Sequence, residues 1–313
     1  MKDFEKPNSA ELVSRLEHPE GRVSMVLDTD TYNEIDDQYA LVYSLFSGEK
    51  LDMEAVYAAP FHNKRSEGPA DGMEKSYEEI LRVLERIDAD AEGFVYRGSE
   101  RYLPGNDNPV ESEAARDLVN RAHQEREGAL YVVAIGAITN VASAFLMDPS
   151  IISEIVVVWL GGNPPHYHTA REFNLMQDME ASKLIFDCGV PLVHVPCLTV
   201  AEMLRTTRAE MEMYVKGKGA IGDYIYDIYC GYVPDEPGRS KVIWDIAPVA
   251  WLLNPLHVMT SLIPSPVLNS EMTWSADSRR HLIRCATSVN RDAVFADFFR
   301  KISEYSNLTS RKF

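Results

Sequence analysis

The stretch Val26-Leu27-Asp28-Thr29-Asp30-Thr31-Tyr32-Asn33-Glu34-Ile35-Asp36-Asp37 sets four aspartates between an apolar run and a helix-period segment. The run that leads into it, 23–27, is apolar enough for a strand covered on both faces. Downstream, Leu41, Val42, Leu45 and Phe46 recur at helical spacing and predict a helix over 36–46. Strand, tight acidic connection and helix make the first half of a parallel βαβ unit. The alternation continues through apolar runs at 53–59, 93–96, 129–135, 155–160 and 190–195. Between them helices are predicted over 76–87, 111–122 and 140–147, the last capped by Thr139. The pattern predicts an α/β fold, an open and mostly parallel sheet with helices on both faces.

Beyond Pro196 the alternation loosens. Residues 201–229 read as mostly helical, 231–240 as a Pro- and Gly-rich surface loop, and 249–253 as an apolar helix. A few antiparallel strands over 262–289 and a closing helix over 292–305 complete the chain. No internal repeat or linker divides it, so 1–313 is expected to be a single domain. The segment 61–73, Phe-His-Asn-Lys-Arg-Ser-Glu-Gly-Pro-Ala-Asp-Gly-Met, reads as either a lid or an exposed loop.

Lys plus Arg number 31 and Asp plus Glu 48, a net charge of −17 that repels phosphate backbones and anionic lipid. Binding to nucleic acid or to a membrane surface is therefore not expected. Cys188, Cys197, Cys230 and Cys285 show no CxxC spacing and read as reduced core thiols. Residues 1–21 lack the apolar core of a leader, and no apolar run reaches the ~18 residues of a membrane span. A cytoplasmic location is expected.

Four carboxylates in one tight connection repel one another. Two arrangements offset the cost: hydrogen bonds from loop amides and the following helix N-terminus, or a hard divalent cation such as Ca²⁺, which takes oxygen ligands. The position favours function, because ligands of open parallel sheets bind beyond the carboxyl ends of the strands. The spacing is not that of an EF-hand loop.

The Asp-x-Asp followed by Asp-Asp resembles the signature of the inosine-uridine-preferring nucleoside hydrolase family. Three further segments resemble that family in order: Ile135-Gly-Ala-Ile-Thr-Asn140, Glu172-Phe-Asn174 with Asp178-Met-Glu-Ala181, and Trp244-Asp245-Ile-Ala-Pro248. The resemblance implies Ca²⁺-dependent hydrolysis of a ribonucleoside N-glycosidic bond. It implies Asp30, Asp37, Asp245 and the Ile135 carbonyl as metal ligands, and Asp30 as the base that takes a proton from the attacking water. It implies Asp36, Glu172, Asn174 and Asn63 as partners of the ribose hydroxyls, with Asp28 behind the ligands. Homodimers or homotetramers and a role in purine salvage are also implied.

Two departures from the family pattern bear on this reading. Five residues, Thr31 to Ile35, separate Asp30 from Asp36 where the family has three. Trp244 stands where many members carry a histidine before the far aspartate. An indole there stacks on a purine and raises the basicity of its ring nitrogen, or else it simply packs beside the apolar helix. His166 and His168 stand as alternative leaving-group acids or as solvated loop residues. Hydrolysis of another N-riboside, or metal-dependent ribose binding without turnover, are the competing readings. No Gly-rich phosphate loop follows the first strand and the pocket is read as acidic, so nucleotides are expected to be poor substrates.

Overall fold

The computed structural model describes residue 4, residues 7–105 and residues 108–310, with side chains to 307. Of the segment read as lacking a leader, 1–3, 5 and 6 lie outside the described residues. The strands are β1 Val23–Thr29, β2 Leu51–Ala58, β3 Val95–Arg97, β4 Leu130–Ala134, β5 Ile155–Leu160, β6 Leu192–Val195, β7 Arg205–Thr207, β8 Ser240–Val242, β9 Val258–Pro264, β10 Val267–Leu268, β11 Trp274–Ser275 and β12 Leu282–Val289. The helices are α1 Ser9–Arg15, α2 Asp37–Leu45, α3 Pro69–Glu85, α4 Glu113–Ala122, α5 Thr139–Met147, α6 Phe173–Gln177, α7 Met179–Asp187, α8 Arg208–Tyr214, α9 Gly219–Tyr232, α10 Ile246–Leu253 and α11 Arg291–Ser310.

Eight strands form the central sheet in the order β3-β2-β1-β4-β5-β6-β12-β9. Every neighbouring pair is parallel except β12 with β9, which is antiparallel. Every residue of β4 and β5 is buried, as expected of strands with helices on both faces. Alternation divides their side chains. Met25, Leu27, Tyr131 and Val133 face one apolar cluster with α2, α9, α10 and α11, while Val26, Leu130, Val132 and Ala134 face the other with α4, α5 and α7.

From β1 the chain turns to β2 and β3 on one side, and returns through α4 to β4 on the other. The carboxyl ends of β1 and β4 therefore flank a topological switch point, where the connections leave a crevice. The amide of Ile135 donates to the carbonyl of Asp28 at 2.8 Å and fixes the two ends side by side.

The α/β expectation holds, with several local differences. Residues 201–229 are not one helical stretch. Ala201–Met203 form a 3-10 turn, β7 pairs antiparallel with β8, and Thr207 with Glu210 closes a capping box that starts α8. Gly217, at φ +75°, ends that helix in a conformation other residues resist. In turn, α9 runs into the predicted loop as far as Tyr232. Thr139 does not cap α5; it is the first helical residue, and its hydroxyl donates to Asp178 at 2.7 Å. Pro69 opens α3 seven residues before the predicted start, and Phe61 is fully buried, which shortens the polar segment to 62–68. Of the C-terminal strands, β9 and β12 join the central sheet, and β10 with β11 forms a separate pair. No cysteine is in a disulfide among the described residues; Cys230 is half-buried and the others are buried. No described helix is long and apolar enough to cross a membrane.

Candidate active site

Asp28 and Asp30 stand at the carboxyl end of β1, and both are buried. Asp28 Oδ1 accepts from Asn140 Nδ2 at 2.7 Å, whereas its Oδ2 has no donor. Burial pushes its carboxyl up to about 7. Neither oxygen of Asp30 has a hydrogen-bond donor. Its carboxyl is driven well above the usual range by burial, then by the charges of Asp37, Asp36 and Glu172.

Asp36 and Asp37 occupy the N-terminus of α2, and Asp245 that of α10, so both helix dipoles present their positive ends to the cluster. Asp37 Oδ1 accepts from Thr29 Oγ1 at 2.6 Å, and Asp36 Oδ2 accepts from the Trp244 amide at 3.0 Å. The second bond ties the first loop to the far one. Lys241 Nζ lies 2.5 Å from Glu34 Oε2 and 3.8 Å from Asp36 Oδ1, a half-buried cation beside the acids. Asp36, Asp37 and Asp245 each place a carboxylate oxygen within 4.8 Å of the others. Asp37 also makes carboxyl-to-carboxyl contacts with Asp30 and Asp245. Two carboxylates meet in this way only with a proton or a cation between them. Donor-less buried carboxylate oxygens fit a hard, oxygen-seeking cation, and the cluster contains no soft ligand.

A cavity of about 680 Å³ opens above the cluster and is lined by Asp36, Asn63, Ile135, Glu172, Asn174, Trp244 and Asp245. The structure thus brings together residues from five distant segments. Asn174 Nδ2 donates at 3.0 Å to both the Ile135 and Leu160 carbonyls, so the carbonyl read as a ligand is held in place by a neighbour. Glu172 caps α6. Its carboxylate accepts the amides of Gly162, Leu175 and Asn174 at 2.7, 3.1 and 3.0 Å. Asn63 accepts the Arg65 amide at 2.8 Å and donates to Asn33 Oδ1 at 2.6 Å. Trp244 is half-buried at the cavity wall.

His166 does not reach the cavity, and neither does His168; both are exposed. The Tyr167 amide bonds the Pro164 carbonyl at 2.8 Å and that of Asn163 bonds Ala170 at 3.3 Å, a turn that leaves His166 on its outside. No histidine lines the cavity among the described residues.

A sequence profile described as "Inosine-uridine preferring nucleoside hydrolase" matches residues 25–296. The chain belongs to this family. Hydrolysis of the ribonucleoside N-glycosidic bond is the family's chemistry, and the chain is an N-glycosyl hydrolase. The pyrimidine-specific ribonucleoside hydrolase RihA of Klebsiella pneumoniae is 27% identical over 259 residues, 74% of this chain and 79% of that protein. An Arabidopsis thaliana protein described as "Probable uridine nucleosidase 2" is 27% identical over 175 residues, and only 51% of that relative's length is matched. An inosine-guanosine nucleoside hydrolase shares the fold with a TM-score of 0.73 at 17% identity, over 91% of this chain and 99% of that one.

The sequence reading missed several lining residues of this nucleoside hydrolase. Asn163 is buried, donates to the Arg171 carbonyl at 2.9 Å, and keeps its Oδ1 without a donor. The Gly161-Gly-Asn163 sequence at the end of β5 was the available signal. Lys241, outside the lining but paired with Glu34 on it, left no local signal. The longer connection after Asp30 forms one wall of the cavity, through Asn33 and Glu34. Arg65 clamps that wall: Nη1 donates to the Glu34 carbonyl at 2.9 Å, and the guanidinium sits 4.3 Å over the Tyr32 ring.

Proposed function

We propose that the chain, a single domain, hydrolyses ribonucleosides to free base and ribose with Ca²⁺ as its cofactor, leaning toward purines. The observation that carries this is Asp30, buried with two donor-less oxygens within the field of Asp36 and Asp37, which group with Asp245; Asp36 and Asp245 line the cavity. A Ca²⁺ ion held by Asp30, Asp37, Asp245 and the Ile135 carbonyl would acidify water and orient ribose hydroxyls.

Asp30 accepts the proton of the water that attacks the anomeric carbon. Both of its oxygens lack a hydrogen-bond donor, which leaves lone pairs for the cation and for that proton. Asp36, Glu172, Asn174 and Asn63 take ribose hydroxyls, and the acidic floor stabilises positive charge that develops on the sugar. Trp244 stacks on the base. With no histidine at the cavity among the described residues, stacking supports a purine whose ring nitrogen is basic enough for solvent to protonate. Turnover in a homodimer or homotetramer, in the cytoplasm, within purine salvage, belongs to the same reading and rests on the family.

The test is a ribonucleoside panel in Ca²⁺ buffer, following free base and reducing sugar. Equimolar release of both is expected, faster for purines. Metal-dependent nucleoside binding with no ribose released would replace the hydrolase by a ribose-binding protein.

A further inference from the structure

Most lysines and arginines of this acidic chain sit against a carboxylate, as Arg97 does with Glu74, Arg126 with Glu54 and Arg280 with Asp187. Lys64, Arg65 and Arg171 do not: among the described residues none of them has a carboxylate within 4.0 Å, and all three line the cavity. Lys64 and Arg171 are exposed at its mouth, and Arg65 is half-buried. They come from the loops after β2 and β5, at the carboxyl edge of the sheet.

The acids nearest in sequence are already committed. Glu172, next to Arg171, accepts three backbone amides. Glu34, whose carbonyl Arg65 holds, spends its carboxylate on Lys241. The three cations therefore do not neutralise the acidic floor; the cavity is acidic at its base and cationic at its entrance. Such a field suits a ligand with hydroxyls and developing positive charge at one end and a fixed negative charge at the other.

We infer that the substrate is an anionic N-riboside, whose oxyanion is received by Lys64, Arg65 and Arg171. This rests on the hydrolase reading and narrows its substrate class. A phosphate on the ribose and a carboxylate on the base present the same chemistry to a guanidinium, two or more oxygens in one plane for its forked donors. The expectation that nucleotides are poor substrates assumed acid throughout the pocket, and that holds only for the floor.

The experiment pairs neutral and anionic ribosides on the Ca²⁺-loaded enzyme: inosine with inosine 5′-monophosphate, and uridine with orotidine. Hydrolysis and calorimetric binding are both measured, for the parent and for the double variant Lys64→Ala/Arg171→Ala. The anionic member of at least one pair is expected to have a kcat/KM about tenfold or more above its partner, on the scale of one charge-assisted contact. That ratio should fall toward unity in the double variant, mainly through KM, and narrow in 0.5 M NaCl. A preference for the monophosphate places the charge on the ribose, and one for orotidine places it on the base.

Neutral ribosides cleaved as well as or better than both anionic ones would overturn the inference and leave the hydrolase reading standing. So would a double variant that slows both members of each pair alike, which would assign the cations to the departing base. If no riboside is cleaved, the hydrolase reading fails, and binding still decides: anionic ligands held no tighter than neutral ones overturn the cationic entrance.

Discussion

Chelation should make the stability of this protein fall more steeply with rising pH than it does in Ca²⁺. Asp37 is pushed to about 7, by burial first and by the charge of Asp36 second. Without a cation, the folded chain keeps that proton while the unfolded chain has released its own near pH 4. The folded state then binds more protons between about pH 4 and pH 7, so its stability declines across that window by about 1.4 kcal/mol per pH unit. From pH 5 to pH 7 Asp37 alone accounts for about 2 kcal/mol, because the slope flattens as its own proton leaves near pH 7. Asp30 and Asp245, driven higher still by burial and by their neighbours, act in the same direction. An unfolding entropy of ~2.1 cal/mol/K per residue over 313 residues makes 1 kcal/mol worth about 1.5 °C. The Tm gap between Ca²⁺-loaded and chelated protein should therefore widen by at least about 3 °C from pH 5 to pH 7. The buried imidazole of His194, pushed down to about 4, titrates with the opposite sign. It does so in both samples and drops out of the difference. Differential scanning calorimetry in CaCl₂ and in EDTA at three pH values reads the gap. A gap that stays constant, or that narrows toward pH 7, refutes the cation as the group that replaces these protons.

Trp244→Ala should lower kcat/KM for purine nucleosides about tenfold, on a stacking scale of ~1–3 kcal/mol per base, and should spare pyrimidines; equal losses on both would remove the stacking role. Gly136→Ala would put a Cβ 3.1 Å from Asp30 Cγ and 3.2 Å from Ala59 Cβ. Displacing the base by a few tenths of an ångström should cost about tenfold or more in kcat with little loss of Tm, and unchanged kcat would show that Asp30 tolerates the shift. Asp178 accepts the amides of Ala181 at 3.0 Å and Leu103 at 2.8 Å and the hydroxyl of Thr139 at 2.7 Å. Asp178→Ala should destabilise by about 3 kcal/mol, seen as a Tm lower by about 4–5 °C.

The fold was legible because its central strands are apolar over their whole length. β4 and β5 read as double-covered strands, and the acidic connection after β1 located the edge where ligands bind. Local spacing failed where a distant partner decided the outcome. The apolar positions of 201–229 fit a helix, but β7 pairs with β8, more than thirty residues on. Thr139 looked like a cap, yet its hydroxyl is taken by Asp178 from another helix. His166 lies close to Glu172 in sequence, and a turn at Pro164 carries it away from the cavity. Lys241 and the cationic entrance show no period or motif, since their meaning depends on which carboxylates lie near them in space. The two extra residues before Asp36 were visible as a departure. Only the structure gives them a place, as the wall that Arg65 and Asn63 hold.

The central claim is that Asp30 both binds the cation and takes the proton from water. Asp30→Asn tests it when ribose release and Ca²⁺ content per chain are measured on the same folded sample. The account predicts kcat lower by about 10²–10⁴-fold, the range for a lost general base, together with reduced Ca²⁺ occupancy. Parent-level ribose release with parent-level Ca²⁺ would contradict it.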